Sequence, residues 1–431
     1  MWVAPNLITL VGTMLLIWAY AVGAQHSLDF TSAPPTWVFF FSAAAVVAYC
    51  HLDCLDGKQA RRTRTSSPLG QLFDHGCDAL SVNVILANIA VSLALPCGWA
   101  HGLGVFGVCF VWVAAQWEEY HTGVMLYGND YWGVLEANYS IAAMHMLSVA
   151  VGGADTWTRP VREALLSLPA PFTPSSSFVN AYVPASFKLN EALIVFMVTM
   201  GSYQGLCNVY RVLFADSARK APPHLGAGAI MPPRERGNKQ LGRLAAAVHL
   251  LALFATLVAG AALLGDENAR FVPGLCRAQS ALFSVAYAHV ATRLIVAHMS
   301  KEPFEPGFGT TVLPMVLGVI VSRIPGIVDE VVLRPLSGTR AAEALSLPAS
   351  VGATEATCFL LAVATVAYLH YVVVVIRQIC AYLDINCLTI KPASAAAQRA
   401  PALAGPHQEP ADQAPAGARA TPARRRTAAA K

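Results

Sequence analysis

HLDCLDGKQARRTRTSSPLGQLFDHGCDAL, residues 51–80, sets four aspartates between two long apolar runs. Asp53 and Asp56 stand at i, i+3 near the end of the first run, and Asp74 and Asp78 at i, i+4 at the start of the second. Each spacing stacks two carboxylates on one helix face. Antiparallel helices joined through a 57–73 connection would bring all four together. Carboxylates that close repel, and in an apolar setting they cannot all stay ionised unless a cation joins them. A donor set of carboxylate oxygens suits hard ions, so two Mg²⁺ or Mn²⁺ ions are expected rather than zinc. Such a pair can clamp phosphoryl oxygens during in-line displacement. The competing reading pairs the aspartates with Lys58, Arg61, Arg62 and Arg64 at a membrane edge. Four acids at these spacings, in a chain poor in charge, favour the metal.

That poverty of charge governs the rest of the chain. Of 431 residues, 55% are hydrophobic and 13% charged, whereas soluble domains carry about 25% charged residues. A membrane-crossing helix needs about 20 apolar residues. Ten segments approach that length: 7–24, 36–52, 79–95, 99–117, 134–152, 190–212, 244–264, 275–298, 309–327 and 352–376. The ninth is interrupted by Pro314, Arg323 and Pro325. The expected fold is therefore an all-α polytopic membrane bundle of about ten transmembrane helices. No basic residue precedes the first run, so a cleavable signal peptide is not expected.

Loop charge orients the bundle. The loop after the second span holds Lys58, Arg61, Arg62 and Arg64, and the loop after the sixth holds Arg219, Lys220, Arg234, Arg236, Lys239 and Arg243. Residues 25–35 and 96–98 contain no Lys or Arg, and 265–273 only Arg270. By the positive-inside rule, both termini and the aspartate segment face the cytosol. Residues 392–431, rich in Ala and Pro, read as a disordered cytosolic tail after a membrane domain of residues 1–391. The tail's Arg424, Arg425 and Arg426 offer a contact for anionic lipid headgroups, although a merely solvated tail is the plainer reading. Most of the ten cysteines lie in apolar runs and no CxxC pair occurs, so neither a disulfide nor a zinc site is expected. No nucleic-acid partner is expected.

Gly57 and Gly70 suit a close approach of backbone to phosphate, or a plain turn. Arg61 offers a planar fork of donors to a diphosphate, or simply sets topology. Together these residues meet the pattern D-G-x2-A-R-x8-G-x3-D-x3-D in full, through Asp56, Gly57, Ala60, Arg61, Gly70, Asp74 and Asp78. The chain thereby resembles the CDP-alcohol phosphotransferases, and DGKQARRT, SSPLG and LFDHGCD resemble their eukaryotic choline/ethanolamine branch. WVAPNLITLVG at the start, WEEYHTG after the fourth span, LIVAHMSKEP and IRQICAYLDINCLTIK extend the resemblance over residues 2–391.

The resemblance implies ten spans, a homodimer in endoplasmic reticulum or Golgi, and an active site open to cytosol and bilayer. It implies transfer of phosphocholine or phosphoethanolamine from CDP-choline or CDP-ethanolamine to diacylglycerol, with release of CMP. Carried over by position, Asp53, Asp56, Asp74 and Asp78 hold the Mg²⁺ ions. Asn6 and Tyr49 contact the nucleotide with Arg61, and His75 accepts the proton of the diacylglycerol hydroxyl. An imidazole suits that task because its pKa lies near neutrality. The family's glutamate one turn before this histidine is replaced by Gln71. A carboxylate there would raise the basicity of His75, whereas an amide only orients it. Relatives also carry an interfacial helix ahead of the APN string, and the sequence as given starts just before that string.

Two other readings compete. Intramembrane polar residues (Glu136, His145, His289, Arg293, Glu355, His370) are features that transporters also show, but no inverted repeat is evident. A family homologue that keeps the aspartates without catalysis is the other, motivated by Gln71. Trp112, Trp117, Tyr120 and Tyr127 are candidates for a choline cage, with core or interfacial packing as the commoner role for such aromatics. Nothing in the motif separates choline from ethanolamine, and dual specificity is expected.

Overall fold

The computed structural model describes residues 3–126, 128, 133–214, 243–324, 326–336 and 351–390. Tyr127, the basic 215–242 segment and the tail from residue 392 lie outside them. Ten principal helices correspond to the ten apolar segments. They are α1 (Pro5–His26), α2 (Thr36–Thr63), α3 (Pro68–Ser92), α4 (Trp99–Thr122), α5 (Val134–Ala150), α6 (Leu189–Leu213), α7 (Arg243–Leu264), α8 (Leu275–Ser300), α9 (Val312–Arg323) and α10 (Ala353–Leu383). Among the described residues there is no β-strand beyond an isolated Pro160–Lys188 bridge. Among the described residues, seven of the helical stretches are long and apolar enough to cross a membrane. Of the other three, α3 carries the aspartates, α5 has 17 residues, and α9 stops after 12. The end of α9 follows from Pro325, which disfavours helix at the residue before it.

The connection between α2 and α3 is shorter than the 57–73 expected. α2 runs on to Thr63 and ends with Arg64 in the left-handed region, at φ 55°. Ser67 then caps α3 by accepting from the Gly70 N–H, and Pro68 occupies its first turn. The reason is local. Lys58, Gln59, Ala60, Arg61 and Arg62 are good helix formers, so one glycine at 57 does not stop the helix. Serine before proline is a strong helix start. Only residues 64–67 remain as a turn, and it holds the two acidic helix ends close together.

The helices α3 and α8 lie inside the bundle. α3 packs on α1 and α8, and α8 also packs on α10. In the apolar stretch of α8, 78% is buried within the protein, against 6% in α10. The sequence explains the difference. α8 presents Ala278, Ser280, Ser284, Ala286, Ala288, Ala291 and Ala297 to its neighbours, and small residues let membrane helices approach closely. The contact of α4 with α6 uses the same device. A Cβ at Gly107 would stand 2.7 Å from Val198.

One expectation is overturned. Cys97, in the turn between α3 and α4, is disulfide-bonded to Cys276 in the first turn of α8. Both are buried, at 1% and 2% exposure. They are 179 residues apart in sequence, so only the packing of α8 against this turn brings them together. The other eight cysteines are free. The three segments poor in Lys and Arg meet at this same end. The Gly98 N–H donates to Leu264 O, and Arg277 Nε donates to Ser27 O at 2.9 Å.

Candidate active site

At the opposite end, α2 and α3 bring the acidic residues together. Carboxylate oxygens of Asp53, Asp56 and Asp74 all lie within 4.8 Å of one another. Asp56 is buried and accepts from Thr9 Oγ1 of α1. Asp53 Oδ1 is buried with no hydrogen-bond partner among the described residues. A buried carboxylate oxygen without a donor is costly, and two further carboxylates beside it add repulsion. Three oxygen donors and one unsatisfied buried oxygen fit a hard divalent cation. Asp78 stands slightly apart. It accepts from Tyr49 Oη, and its Oδ2 lies 3.9 Å from His75 Nδ1.

Tyr49, expected at the nucleotide, is thus buried against Asp78. Asn6 donates from Nδ2 to Cys387 O at 3.0 Å, tying the start of α1 to the segment after α10. A Cβ at Gly70 would meet Asn6 Oδ1 at 3.8 Å, so these two expected positions are neighbours. Arg61 is exposed, with its Nη1 3.5 Å from where a Cβ of Gly57 would stand. It makes no ion pair among the described residues and is open to an anionic ligand. All ten residues named from sequence, together with Gln71, are therefore grouped where α1, α2 and α3 meet.

The sequence reading missed two neighbours. Gln71 Nε2 donates to Glu119 Oε1 of α4 at 3.3 Å, and His298 Nε2 of α8 lies 3.9 Å from the same oxygen. A carboxylate therefore reaches the surroundings of His75 from another helix, although position 71 is an amide. Both residues stand in quoted strings, WEEYHTG and LIVAHMSKEP, but only tertiary packing joins them. Three of the choline-cage candidates pack within the bundle. Trp117 and Tyr120 are fully buried, with Trp117 Nε1 donating to Ala246 O, and Trp112 packs on Tyr287. Tyr127 lies outside the described residues.

An all-α, polytopic membrane protein with a carboxylate cluster at one end of its bundle is the class that fold and site define. Residues 2–173 match the CDP-alcohol phosphatidyltransferase family. Three relatives illustrate the similarity. An uncharacterised class-I member of the family from Dictyostelium discoideum, protein 2, is 35% identical over 42% of this chain and 46% of its own length. Cholinephosphotransferase 1 of Mus musculus is 38% identical over 39% of this chain and 42% of its own. In both cases the similarity spans less than half of the relative. A further uncharacterised Dictyostelium member, protein 3, is 27% identical over 90% of this chain and 88% of its own.

Proposed function

We propose that residues 1–391 form a membrane enzyme that transfers phosphocholine or phosphoethanolamine from the CDP-alcohol to diacylglycerol, releasing CMP. The observation that carries this reading is the Asp53, Asp56 and Asp74 cluster standing beside His75. Asp53, Asp56, Asp74 and Asp78 would hold two divalent ions, Mg²⁺ or Mn²⁺. When bound, these ions neutralise the diphosphate and the charge that develops as its bridge breaks. Arg61 binds diphosphate oxygens with its fork of donors, while Gly57 and Gly70 leave room for the backbone to approach. Asn6 lines the nucleotide side, and Tyr49 orients Asp78. His75 takes the proton from the acceptor hydroxyl as its oxygen bonds to the phosphorus of the phospho-alcohol, and the bond to CMP breaks. A lipid alcohol is a weak nucleophile, so a base held within reach is what this step requires.

The reading places the site on the cytosolic face of endoplasmic reticulum or Golgi, in a homodimer. A cysteine at Ser66 and one at Ser32 should label from opposite faces of sealed vesicles. The deciding experiment assays purified full-length protein with CDP-choline and with CDP-ethanolamine, in the presence of diacylglycerol. CMP release that depends on Mg²⁺ or Mn²⁺, and is lost in Asp56→Ala and Asp74→Ala, supports the reading. Undiminished release in EDTA removes the metal assignment. No release from either donor favours the non-catalytic homologue.

A further inference from the structure

The two adjacent acids of WEEYHTG, near the end of α4, meet different fates. Glu118 is 2% exposed and is held by a fork from Arg211 of α6, with Nε 2.5 Å from its Oε1 and Nη2 2.7 Å from its Oε2. Its charge is answered within the chain. Glu119 turns to α3 instead. Gln71 Nε2 donates to its Oε1 at 3.3 Å, and His298 Nε2 lies 3.9 Å from the same oxygen. Among the described residues Glu119 makes no ion pair with a lysine or an arginine, and Lys301 acts on it from beyond that range. Its side chain keeps 14% of its surface accessible. A carboxylate has about four acceptor positions, and both of these neighbours stand at one oxygen. Oε2 retains acceptor capacity and charge for a ligand.

This acid stands close to the reacting phosphate of the proposed site. Gln71 lies one turn of α3 before Asp74 and His75, roughly 5 Å along the helix axis. Of the acids whose charge acts most strongly on His75, Asp74 and Asp78 belong to α3 and Glu119 comes from another helix. The start of α3 thus presents two sides. Gly70 neighbours Asn6 of α1, on the nucleotide side. Gln71, about 100° further round the helix, meets Glu119 of α4. In a CDP-alcohol the diphosphate stands between nucleotide and headgroup. With the phosphates at the aspartates and the nucleotide towards α1, the α4 side is left for the headgroup, while the acceptor approaches from the bilayer.

Charge and length identify what reaches Glu119. Choline and ethanolamine both end in a nitrogen cation, four bonds from the phosphorus and so about 5 Å away at about 1.5 Å per bond. That span matches one turn of α3. Two divalent ions would cancel the charge of the four aspartates, and Arg61 serves the diphosphate, so the cluster offers the cation no net attraction. Glu119 does. We propose that Glu119 receives the positively charged nitrogen of the CDP-alcohol headgroup, with Gln71 and His298 holding its carboxylate in place. The proposal rests on the transferase reading and adds the residue that selects a cationic headgroup.

The test uses purified full-length protein in mixed micelles with saturating diacylglycerol. CDP-choline and CDP-ethanolamine are each compared with a neutral isostere in which carbon replaces the headgroup nitrogen. Wild type should show an apparent KM for the neutral donor about ten-fold above that for its charged counterpart, the worth of one contact with a charged group. Glu119→Gln removes the charge but keeps an oxygen to accept from Gln71. It should raise KM for the charged donor by about the same factor, leave KM for the neutral donor near wild type and erase the preference. KM for diacylglycerol should not change. Glu119→Ala provides a second variant if Glu119→Gln does not fold, and it should lose the preference in the same way. A wild type indifferent to headgroup charge overturns the proposal. So does a Glu119→Gln enzyme that keeps the full preference, or one whose KM rises equally for charged and neutral donors, which would make Glu119 a support for α3 alone. Wild type releasing no CMP from either charged donor refutes the transferase reading itself, and the headgroup contact with it.

Discussion

The two ends of α3 are built on opposite plans. At its C-terminal end, the last carbonyls of the helix find their partners on neighbouring elements. Asn190 Nδ2 donates to Leu93 O at 3.0 Å and Ala94 O at 3.2 Å, and Ser148 Oγ donates to Ser92 O. Arg277 lies over the rings of Phe30 and Tyr20, and the Cys97–Cys276 disulfide closes the end covalently. At its N-terminal end, Asp74 gathers with Asp53 and Asp56, Asp53 Oδ1 has no partner among the described residues, and Arg61 is exposed. One end is closed by a covalent bond and by donors from neighbouring helices. The other gathers carboxylates beside an exposed arginine.

Mutations at the two ends should therefore separate activity from stability. The largest effect belongs to the open end. His75→Ala should reduce CMP release by about 10² to 10⁴-fold while CDP-alcohol binding and thermal unfolding stay near wild type. A variant that retains full turnover removes His75 as the base. At the closed end, Cys97→Ser should do the reverse. Losing a disulfide typically costs about 2 to 4 kcal/mol, so the unfolding temperature should fall while turnover per folded molecule persists. Equal losses of activity and stability in both variants would erase the contrast.

A smaller effect tests the neighbours of His75. Gln71→Glu places a second carboxylate against Glu119, where an amide now donates, so turnover should fall several-fold, roughly the worth of one hydrogen bond plus like-charge repulsion. The exchange Gln71→Glu with Glu119→Gln keeps one carboxylate and one amide, and should recover most of the loss. A gain in rate from Gln71→Glu alone would mean that position 71 acts on His75 directly. The double variant also shows whether the pair is coupled, because coupled residues depart from additivity.

The smallest effect lies in the 27–35 loop of the closed end. Burial opposes ionisation of Asp29, but hydrogen bonds from Thr31 and Ser32 outweigh it and hold its carboxyl well below the ordinary range. A lowered native pKa stabilises the folded state above the unfolded value, about 4, and the benefit fades as pH falls through the native value. Asp29→Asn should lower the unfolding temperature slightly at pH 7 and narrow its difference from wild type below pH 4. A difference that grows with acidity would contradict that sign.

Much of this protein is legible in the sequence by itself. Apolar runs about as long as a bilayer is thick dictate helices, because backbone groups in lipid must bond within their own segment. The i, i+3 and i, i+4 aspartates, on helices with strong local start and stop signals, specify a carboxylate cluster before any packing is known. What only the tertiary structure decided involves residues far apart in the chain with no local pattern to announce them. Cys97 reads as a buried thiol until α8 brings Cys276 to it. Glu119 stands without a role in WEEYHTG until α4 sets it against Gln71 and α8 adds His298. Tyr49 reads as a nucleotide contact, and only the placing of α3 shows that it donates to Asp78. Local backbone rules act over a few residues and are written in the sequence. Which helix faces meet depends on the summed packing of small residues along whole helices, and that sum exists only in the folded bundle.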